Sequence, residues 1–424
     1  MSGFIRFDEA ILGAIRGAVD LPALIGQDLE LRRAGPDSFK ACCPFHAEST
    51  PSFFVKRNGF YRCYGCEKTG DAIEWLRQRH GLSFHEAACQ LARTHRIALP
   101  PPPDLSEEAR EQVRHNAQLR RVLEEASRIF RRGLARRPGA HRYLTTERGL
   151  DEAAISTFEL GVVGSGVAPL LSRYPRGLLV EAGLALLDDG EVVDRFTHRI
   201  MVPIRNQSGA LVSFAGRLYL PGDRRESKYL NGPETAIFRK GDELFGANLA
   251  QRAIRRERTA IVVEGYFDVI ALHGIGEYRA VAPMGTALAA NQVERLLLMA
   301  DHVYFAFDGD AAGRRAAISA AHAALQHIRD GQSAHFVNLP GECDPDTLVR
   351  AGGAEAWTGA LEAAAPLSAV AIGQVLGGLD VRVVEMRVTA AQRARELLQH
   401  IRHAPLYRRS FQQALEEAVG MPLE

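Results

Sequence analysis

The chain has 424 residues, 46% of them apolar, and a formal net charge of +1. That length exceeds one ordinary domain, and the apolar share supports several packed cores. No apolar run reaches the roughly 18 residues that span a bilayer, so a membrane protein is excluded and a soluble, cytoplasmic, multi-domain chain is expected. Net neutrality would speak against a polyanionic partner, but the charge is uneven. Residues 195–258 hold 13 Lys or Arg against six acids, a density suited to polyphosphate.

The first chemical signal along the chain is Cys43-Pro-Phe-His46 with Cys63-Tyr-Gly-Cys66. Two intervening residues let a tight knuckle turn two ligands toward one ion, so the pairs predict a single structural zinc on Cys43, His46, Cys63 and Cys66. Between them, Ser52–Arg57 and Phe60–Arg62 read as strands around Asn58-Gly59, the dipeptide that favours a two-residue type I′ turn. Cys42, Cys89 and Cys343 read as ordinary thiols. Six cysteines in a chain of this length, with a histidine in register and no signal peptide, fit a reducing compartment rather than a disulfide framework. Helical spacing over 71–77 and 83–92, the second with Ser83 as N-cap, supplies backing helices for a zinc ribbon. Leu99 to Pro103 is a polyproline stretch, which extends stiffly and predicts a linker at 99–104 after a zinc domain at 1–98.

Residues 106–137 read as a long arginine-rich helix, followed by a short helical pair at 143–150 and 151–158. Strand-like runs at 199–204 and 210–215, joined by a turn at 206–209, form a hairpin ending at Gly216-Arg217. The expected unit over 105–250 is mixed α+β and basic. From Thr259 to Pro340 the chain alternates strands (259–264, 278–283, 302–307, 333–339) with helices (289–299, 312–328), which predicts an α/β domain with a parallel sheet over 251–356. The tail from Trp357 to Glu424 has a 3.6-residue period and reads as a small helical bundle without strands. No internal repeat of solenoid period is present. The fold class is therefore α+β and multi-domain.

Two of these strands end on acids. The strand from Thr259 delivers Glu264, and the strand from His302 delivers Asp308 and Asp310 before Gly313 and a helix. Ligands of open α/β sheets bind at this carboxyl edge. Crowded carboxylates repel unless a cation neutralises them, and hard oxygen donors with room for phosphate suit Mg²⁺ or Mn²⁺.

These blocks, in this order, resemble bacterial DnaG-type DNA primases over nearly the whole chain. The resemblance rests on Cys42 to His46 with Thr50 to Phe53, Tyr61 to Cys66, Lys228 to Thr235, Phe238 to Gly241 with Leu244 to Gly246, Glu264 to Asp268, Phe307 to Gly313, and Asp344-Pro-Asp346. It implies a zinc domain, a basic subdomain and a TOPRIM polymerase core that makes short RNA primers on single-stranded DNA from ribonucleoside triphosphates. Glu264, Asp308 and Asp310 are implied to hold catalytic metal, two ions or more, with Asp268, Asp344 and Asp346 as further acids and Asp344 and Asp346 as further ligands. Glu264 can serve as ligand or proton acceptor on chemical grounds, the ligand role being preferred, and Asp344-Pro-Asp346 serves equally as turn or metal position. Arg148, Arg199, Arg217, Lys228, Tyr229 and Lys240 are implied to line the track for template and nucleotide. On the zinc hairpin, Lys56, Arg57 and Arg62 suit template phosphates, while Phe53, Tyr61 and Tyr64 either stack on bases or pack around the zinc.

The loop from His46 to Cys63 is slightly shorter than the family's, so no hairpin-borne trinucleotide preference is expected. Family members continue into a helical domain that docks on the replicative helicase. This chain ends at Glu424, as a natural short form or a core piece, which leaves a helicase partner open along with single-strand-binding protein. A monomer at the nucleoid, with no membrane contact, is expected. The competing classes are another TOPRIM enzyme, a nuclease or topoisomerase, and a catalytically silent single-strand-binding protein.

Overall fold

The computed structural model describes residues 7–423 apart from 47, 49, 81, 83, 100–105, 165, 221–226, 286 and 342. Residues 100–104 of the expected linker and the Ser83 cap thus lie outside the described residues, while Leu99 packs against the apolar core of the first unit. Contacts divide the chain into two compact units, residues 1–115 and 116–424.

The first unit starts with α1 (Glu9–Ala18) and α2 (Leu21–Ile25), neither of which the sequence pattern had suggested. Asp8 and Asp20 cap them by accepting from the amides of Ile11 and Ala23. Five strands follow, β1 (Arg32–Gly35), β2 (Ser38–Ala41), β3 (Phe53–Lys56), β4 (Phe60–Cys63) and β5 (Thr69–Gly70), then α3 (Ala72–His80) and α4 (Phe84–Thr94). The strands form one antiparallel sheet in sequence order. Alternation sends Phe53, Val55, Tyr61 and Cys63 inward, where Phe53 and Tyr61 meet Trp75 of α3 at ring separations of 5.8 and 5.7 Å. The opposite face carries a cross-strand row in direct register, Arg32, Lys40, Phe54, Arg62 and Thr69.

The β3–β4 turn differs from the expected type I′. Lys56 pairs with Phe60, so the loop has three residues, and only Gly59 has positive φ, at 87°. The Gly59 amide donates to the Lys56 carbonyl at 3.2 Å, closing a turn that ends on a left-handed glycine, the usual three-residue solution. Asn58 stays right-handed because the third loop residue already supplies the twist.

Helix α5 (Glu107–Ala135) begins within the residues of the first unit, and its part in the second unit buries Leu119, Val122, Leu123, Ala126, Phe130 and Leu134 as one stripe. Next come α6 (Pro138–Arg142), a π-helical turn at Tyr143–Glu147, α7 (Glu152–Thr157), β6 (Gly161–Val162), α8 (Ala168–Leu171) and α9 (Arg176–Glu181). The hairpin β7 (Ala185–Asp188) and β8 (Glu191–Asp194) precedes β9 (Arg199–Arg205), β10 (Leu211–Leu218), β11 (Tyr229–Asn231) and α10 (Ala247–Glu257). Strands β11, β10, β9 and β6 form an antiparallel sheet in that order. The expected hairpin is present and runs past Gly216-Arg217, because β11 pairs with that extension, Arg217 opposite Tyr229.

The alternating region contains β12 (Thr259–Val263), α11 (Tyr266–Gly274), β13 (Ala280–Val281), α12 (Ala290–Met299), β14 (His302–Ala306), α13 (Ala311–His327) and β15 (Ser333–Phe336). It continues through α14 (Pro345–Glu362), β16 (Ala365–Pro366), α15 (Leu367–Leu376), α16 (Val384–Gln399) and α17 (Pro405–Val419). Sheet order is β13, β12, β14, β15, β16, with the first four mutually parallel, as alternation predicted. The strand-free reading of the tail is corrected by β16, a two-residue antiparallel edge opposite His335 and Phe336. The boundary drawn at 356 falls inside α14, and α15 to α17 share one apolar cluster with α12, α13 and the sheet. The tail is therefore packed on the sheet as part of its core.

Candidate functional site

In the first unit the ligand atoms of Cys43, His46, Cys63 and Cys66 all lie within 4.8 Å of one another, as the spacing predicted. Cys43 Sγ and Cys66 Sγ are 3.7 Å apart. A tetrahedron with Zn–S of about 2.3 Å has an edge of about 3.8 Å, so the cluster has the dimensions of a closed zinc site. The amides of Phe45, Gly65 and Cys66 donate to cysteine sulfurs at 3.3 to 3.4 Å, the charge-stabilising pattern of a knuckle. Glu48 was missed from the sequence. Its carboxylate lies 3.1 Å from His46 Nε2 and accepts from the Cys43 amide and from Ser52, leaving His46 Nδ1, 3.9 Å from Cys63 Sγ, as the ring nitrogen that would take a zinc ion. The Ser52 hydroxyl holds the Glu48 carboxyl below its usual range.

Of the rings proposed to stack, Phe53 and Tyr61 are fully buried around the site, whereas Tyr64 is 63% exposed, with the Arg62 guanidinium 5.2 Å from its ring centre. Lys56, Arg57 and Arg62 are all exposed, and Arg57 lies 4.0 Å from Asp37.

In the second unit a cavity of about 410 Å³ opens at the carboxyl edge of the parallel sheet. Glu264 follows β12 and Asp308 lies two residues beyond β14, and the parallel register aligns Val263 with Ala306. The Asp308 amide donates to Glu264 Oε1 at 2.9 Å, so the two acids, 44 residues apart in sequence, share one rim. Burial, followed by Glu264, Asp344 and Asp310, pushes the Asp308 carboxyl up to about 7, and Lys228 pulls it the other way. Burial likewise raises Glu264. Asp308 Oδ1 is buried without a hydrogen-bond partner among the described residues. An orphaned carboxylate oxygen amid further acids is the donor set of a hard divalent cation, so Glu264 and Asp308 fit the metal expected there.

Asp310 and Asp344 are helix N-caps. Asp310 Oδ1 accepts from the Ala312 and Gly313 amides at 2.8 Å, and Asp344 Oδ1 accepts from Thr347 at 2.7 Å. Asp344 is thus a cap, which is the turn reading of Asp344-Pro-Asp346, and its Oδ2 accepts no hydrogen bond from a described residue. Asp268 is buried, with Oδ2 on the Gly265 amide at 2.8 Å and Oδ1 on the Asp346 amide at 3.3 Å. Burial and three neighbouring acids hold it well above the carboxylate range, and its contacts make it a brace between α11 and α14. Asp346 receives Arg148 Nη1 at 2.7 Å and Arg350 Nε at 3.0 Å, so both its oxygens are committed to arginine. Its side chain anchors Arg148.

Four of the six expected basic-track residues, Arg148, Arg217, Lys228 and Tyr229, line this cavity with Glu264, Asp268, Asp308, Asp344 and Asp346, whereas Asp310 lies outside its lining. Arg217 donates to the Tyr229 hydroxyl, and its guanidinium lies 4.7 Å from that ring and 5.0 Å from Phe267. Arg199 departs from expectation. It is 2% exposed, with its guanidinium on the carbonyls of Gly216 and Lys228 at 3.3 and 3.4 Å, because β10 and β11 close over it. It holds the backbone at Gly216 and Lys228 and does not line the cavity. Lys240 is half-buried outside the cavity lining, with its carbonyl on Gln292. Tyr143 was missed altogether. Its hydroxyl accepts from Arg148 Nε at 3.1 Å and Arg217 Nε at 2.5 Å, joining residues 5 and 74 positions away. The π-helical turn that begins at Tyr143 is a local deviation often found beside functional sites.

Cations and acids facing across a cavity can bind a polyanion with its metal, which is the arrangement of phosphoryl-transfer sites. Family comparisons agree with it. The profile described as "DNA primase catalytic core, N-terminal domain" matches residues 129–251, the "CHC2 zinc finger" matches 7–104, and the "Toprim domain" matches 258–330. The DNA primase of Neisseria meningitidis is 36% identical over 410 residues, 95% of this chain and 68% of its own. That of Escherichia coli K12 is 35% identical over 406 residues, 93% and 69% of the two chains. The chain thus spans about two thirds of these relatives. Among solved structures, the zinc-binding and RNA polymerase domains of Aquifex aeolicus primase cover 98% of both chains at 28% identity and a TM-score of 0.62. A DnaG primase catalytic domain bound to single-stranded DNA covers 73% of this chain and 98% of its own at 33% identity and a TM-score of 0.67.

Proposed function

The chain belongs to the bacterial DnaG-type DNA primases, and from that premise we propose that it joins ribonucleoside triphosphates into short primers on a single-stranded DNA template. The observation that carries this reading is the meeting of Glu264 and Asp308 in one cavity with Arg148, Arg217 and Lys228. Primer synthesis needs a 3′ hydroxyl to attack an α-phosphate in line while negative charge spreads over phosphoryl oxygens and pyrophosphate. Divalent metal, Mg²⁺ or Mn²⁺, supplies charge neutralisation and hydroxyl activation when bound.

Glu264, Asp308 and Asp310 would hold that metal, with the free oxygen of Asp344 as a further donor. Glu264 acts as a ligand in this reading, since its Oε1 is already fixed by the Asp308 amide. Arg148 and Arg217 take phosphate oxygens as planar cations, pre-oriented by the Tyr143 hydroxyl, and Lys228 meets them as a point charge beside Asp308. Asp268 supports this reading as the buried brace that holds Gly265 and Asp346 in register. On the zinc ribbon, Lys56 and Arg62 engage template phosphates and Tyr64 offers a stacking face.

The test is incubation with single-stranded DNA, Mg²⁺ and ribonucleotides, followed by electrophoresis for short labelled RNA. Wild type is expected to make primers, and Asp308→Ala to lose synthesis while keeping template binding. Template cleavage or strand passage would point to another TOPRIM enzyme, and binding without product to a silent binder. Synthesis retained by Asp308→Ala would overturn the metal assignment.

A further inference from the structure

Residues 128–142 hold six arginines, one histidine and no acid. They span the end of α5 and all of α6, outside the catalytic cavity. There a groove of about 670 Å³ is lined by Arg131 and Arg142 over a floor that includes Leu134 and Leu160. The acid in its lining, Glu152, is engaged by His141 Nε2 at 2.6 Å. The side chains of Arg131, Arg132, Arg136 and Arg142 are exposed and make no hydrogen bond or ion pair with any described residue. An acid one turn away on the helix face would pair such an arginine, and this stretch has none to offer.

We propose that this groove is a second nucleic-acid site, which takes the phosphate backbone of single-stranded DNA outside the catalytic cavity. The occupant follows from three observations. Unpaired guanidiniums fit phosphate oxygens in bidentate geometry. Among the described residues no Phe, Tyr or Trp lines the groove, so it offers backbone contact and no base stacking. Continuous helical backbone also joins it to the cavity: Thr145 lines the groove, and Arg148, at the end of the same π-helical turn, lines the cavity. A rise of under about 5 Å separates those two positions, so one strand can engage both. The proposal rests on the primase reading and enlarges its footprint to a second, sequence-independent segment.

The experiment measures binding of the full chain to labelled oligo-dT of increasing length across a salt series. Three forms are compared, namely wild type, Arg131→Gln with Arg142→Gln, and Arg131→Lys with Arg142→Lys. Each phosphate contact to a single strand contributes about 0.7 to the slope of log affinity against log salt. The glutamine form is therefore expected to lose about 1.4 from that slope on long oligomers, roughly twentyfold in affinity at 0.1 M salt relative to 1 M. On oligomers short enough to fill the cavity alone it should match wild type, and the lysine form should keep the long-oligomer slope. A wild-type slope in the glutamine form, or equal loss at every length, would overturn the site, as would competition by polyglutamate without any effect of DNA length. Primer synthesis at low salt and saturating template is read in parallel. Failure of wild type to make primers counts against the primase reading, whereas active wild type with unchanged slopes counts against the groove alone.

Discussion

Arg148 Nη1 lies 2.7 Å from Asp346 Oδ2, joining the end of the π-helical turn to the start of α14 across 198 positions of sequence. The Asp346 side chain is 2% exposed and that of Arg148 15%, so this ion pair is desolvated on both sides. Removing one partner of such a pair costs about 3–5 kcal/mol when the other is left uncompensated. Arg350 remains on Asp346, so Arg148→Ala is expected to cost about 2 kcal/mol, read from denaturant midpoints. Primer synthesis should fall further than stability, because Arg148 also lines the cavity. Combining Arg148→Ala with Asp346→Ala should destabilise by less than the sum of the two, and strict additivity would refute the coupling.

Glu48 is expected to govern zinc affinity without being a ligand. It fixes the ring of His46 through Nε2 while its other contacts tie Ser52 and the Cys43 amide into the knuckle. Loss of such an outer partner typically weakens metal affinity by about 10–100-fold. Glu48→Ala should still bind one zinc per chain when metal is abundant but release it earlier in a chelator titration, whereas Cys63→Ser should fail to hold a full equivalent by elemental analysis. Equal chelator resistance of Glu48→Ala and wild type would remove Glu48 from this role.

Gly313 is expected to be intolerant of even one methyl group. A Cβ there would lie 1.9 Å from the Asp308 carbonyl oxygen, so the first turn of α13 sits directly on the backbone that carries a proposed metal ligand. Neither backbone can yield cheaply, and overpacking of this kind costs about 1–3 kcal/mol. Gly313→Ala should reduce kcat at least tenfold with a modest fall in Tm. Gly274→Ala, on an exposed helical position with nothing within 4 Å, is the control and should be neutral or stabilising.

What was legible from residues alone follows the range of the interactions involved. The Cys/His pairs and the acid-terminated strands are local patterns, and the fold brings the four zinc ligands together and sets Glu264 beside Asp308. The right-handed βαβ rule then made the parallel sheet predictable. Asn58-Gly59 misled because dipeptide preference cannot register the third loop residue that the Lys56–Phe60 pairing requires. β16 escaped because two residues carry no periodicity, and their edge position depends on β15. Arg199 resembled the other basic residues until β11 was seen to pass over it, and Tyr143 became visible only once two arginines met at its hydroxyl. Charge in a sequence says that cations are present, and only tertiary pairing says which of them remain available.

Acid sensitivity should arise in part from a histidine outside the site. His273 of α11 is buried against Phe158 and Tyr278, its Nε2 has no partner among the described residues, and burial depresses it to about 4, with Glu277 opposing that shift. A histidine whose folded value lies below its unfolded value of about 6.5 takes up protons preferentially in the unfolded state between those limits. The stability it confers is therefore complete above pH 6.5 and is lost as pH falls from there toward 4. Raised carboxylates such as Asp308 act in the opposite sense over much of the same window, since they favour the folded state as they protonate. The contribution of His273 must accordingly be read as a difference. His273→Phe is expected to flatten the loss of stability between pH 7 and pH 4.5 by about 2 kcal/mol relative to wild type, measured by urea unfolding at each pH. Parallel pH profiles for the two proteins would show that His273 ionises as freely in the fold as outside it.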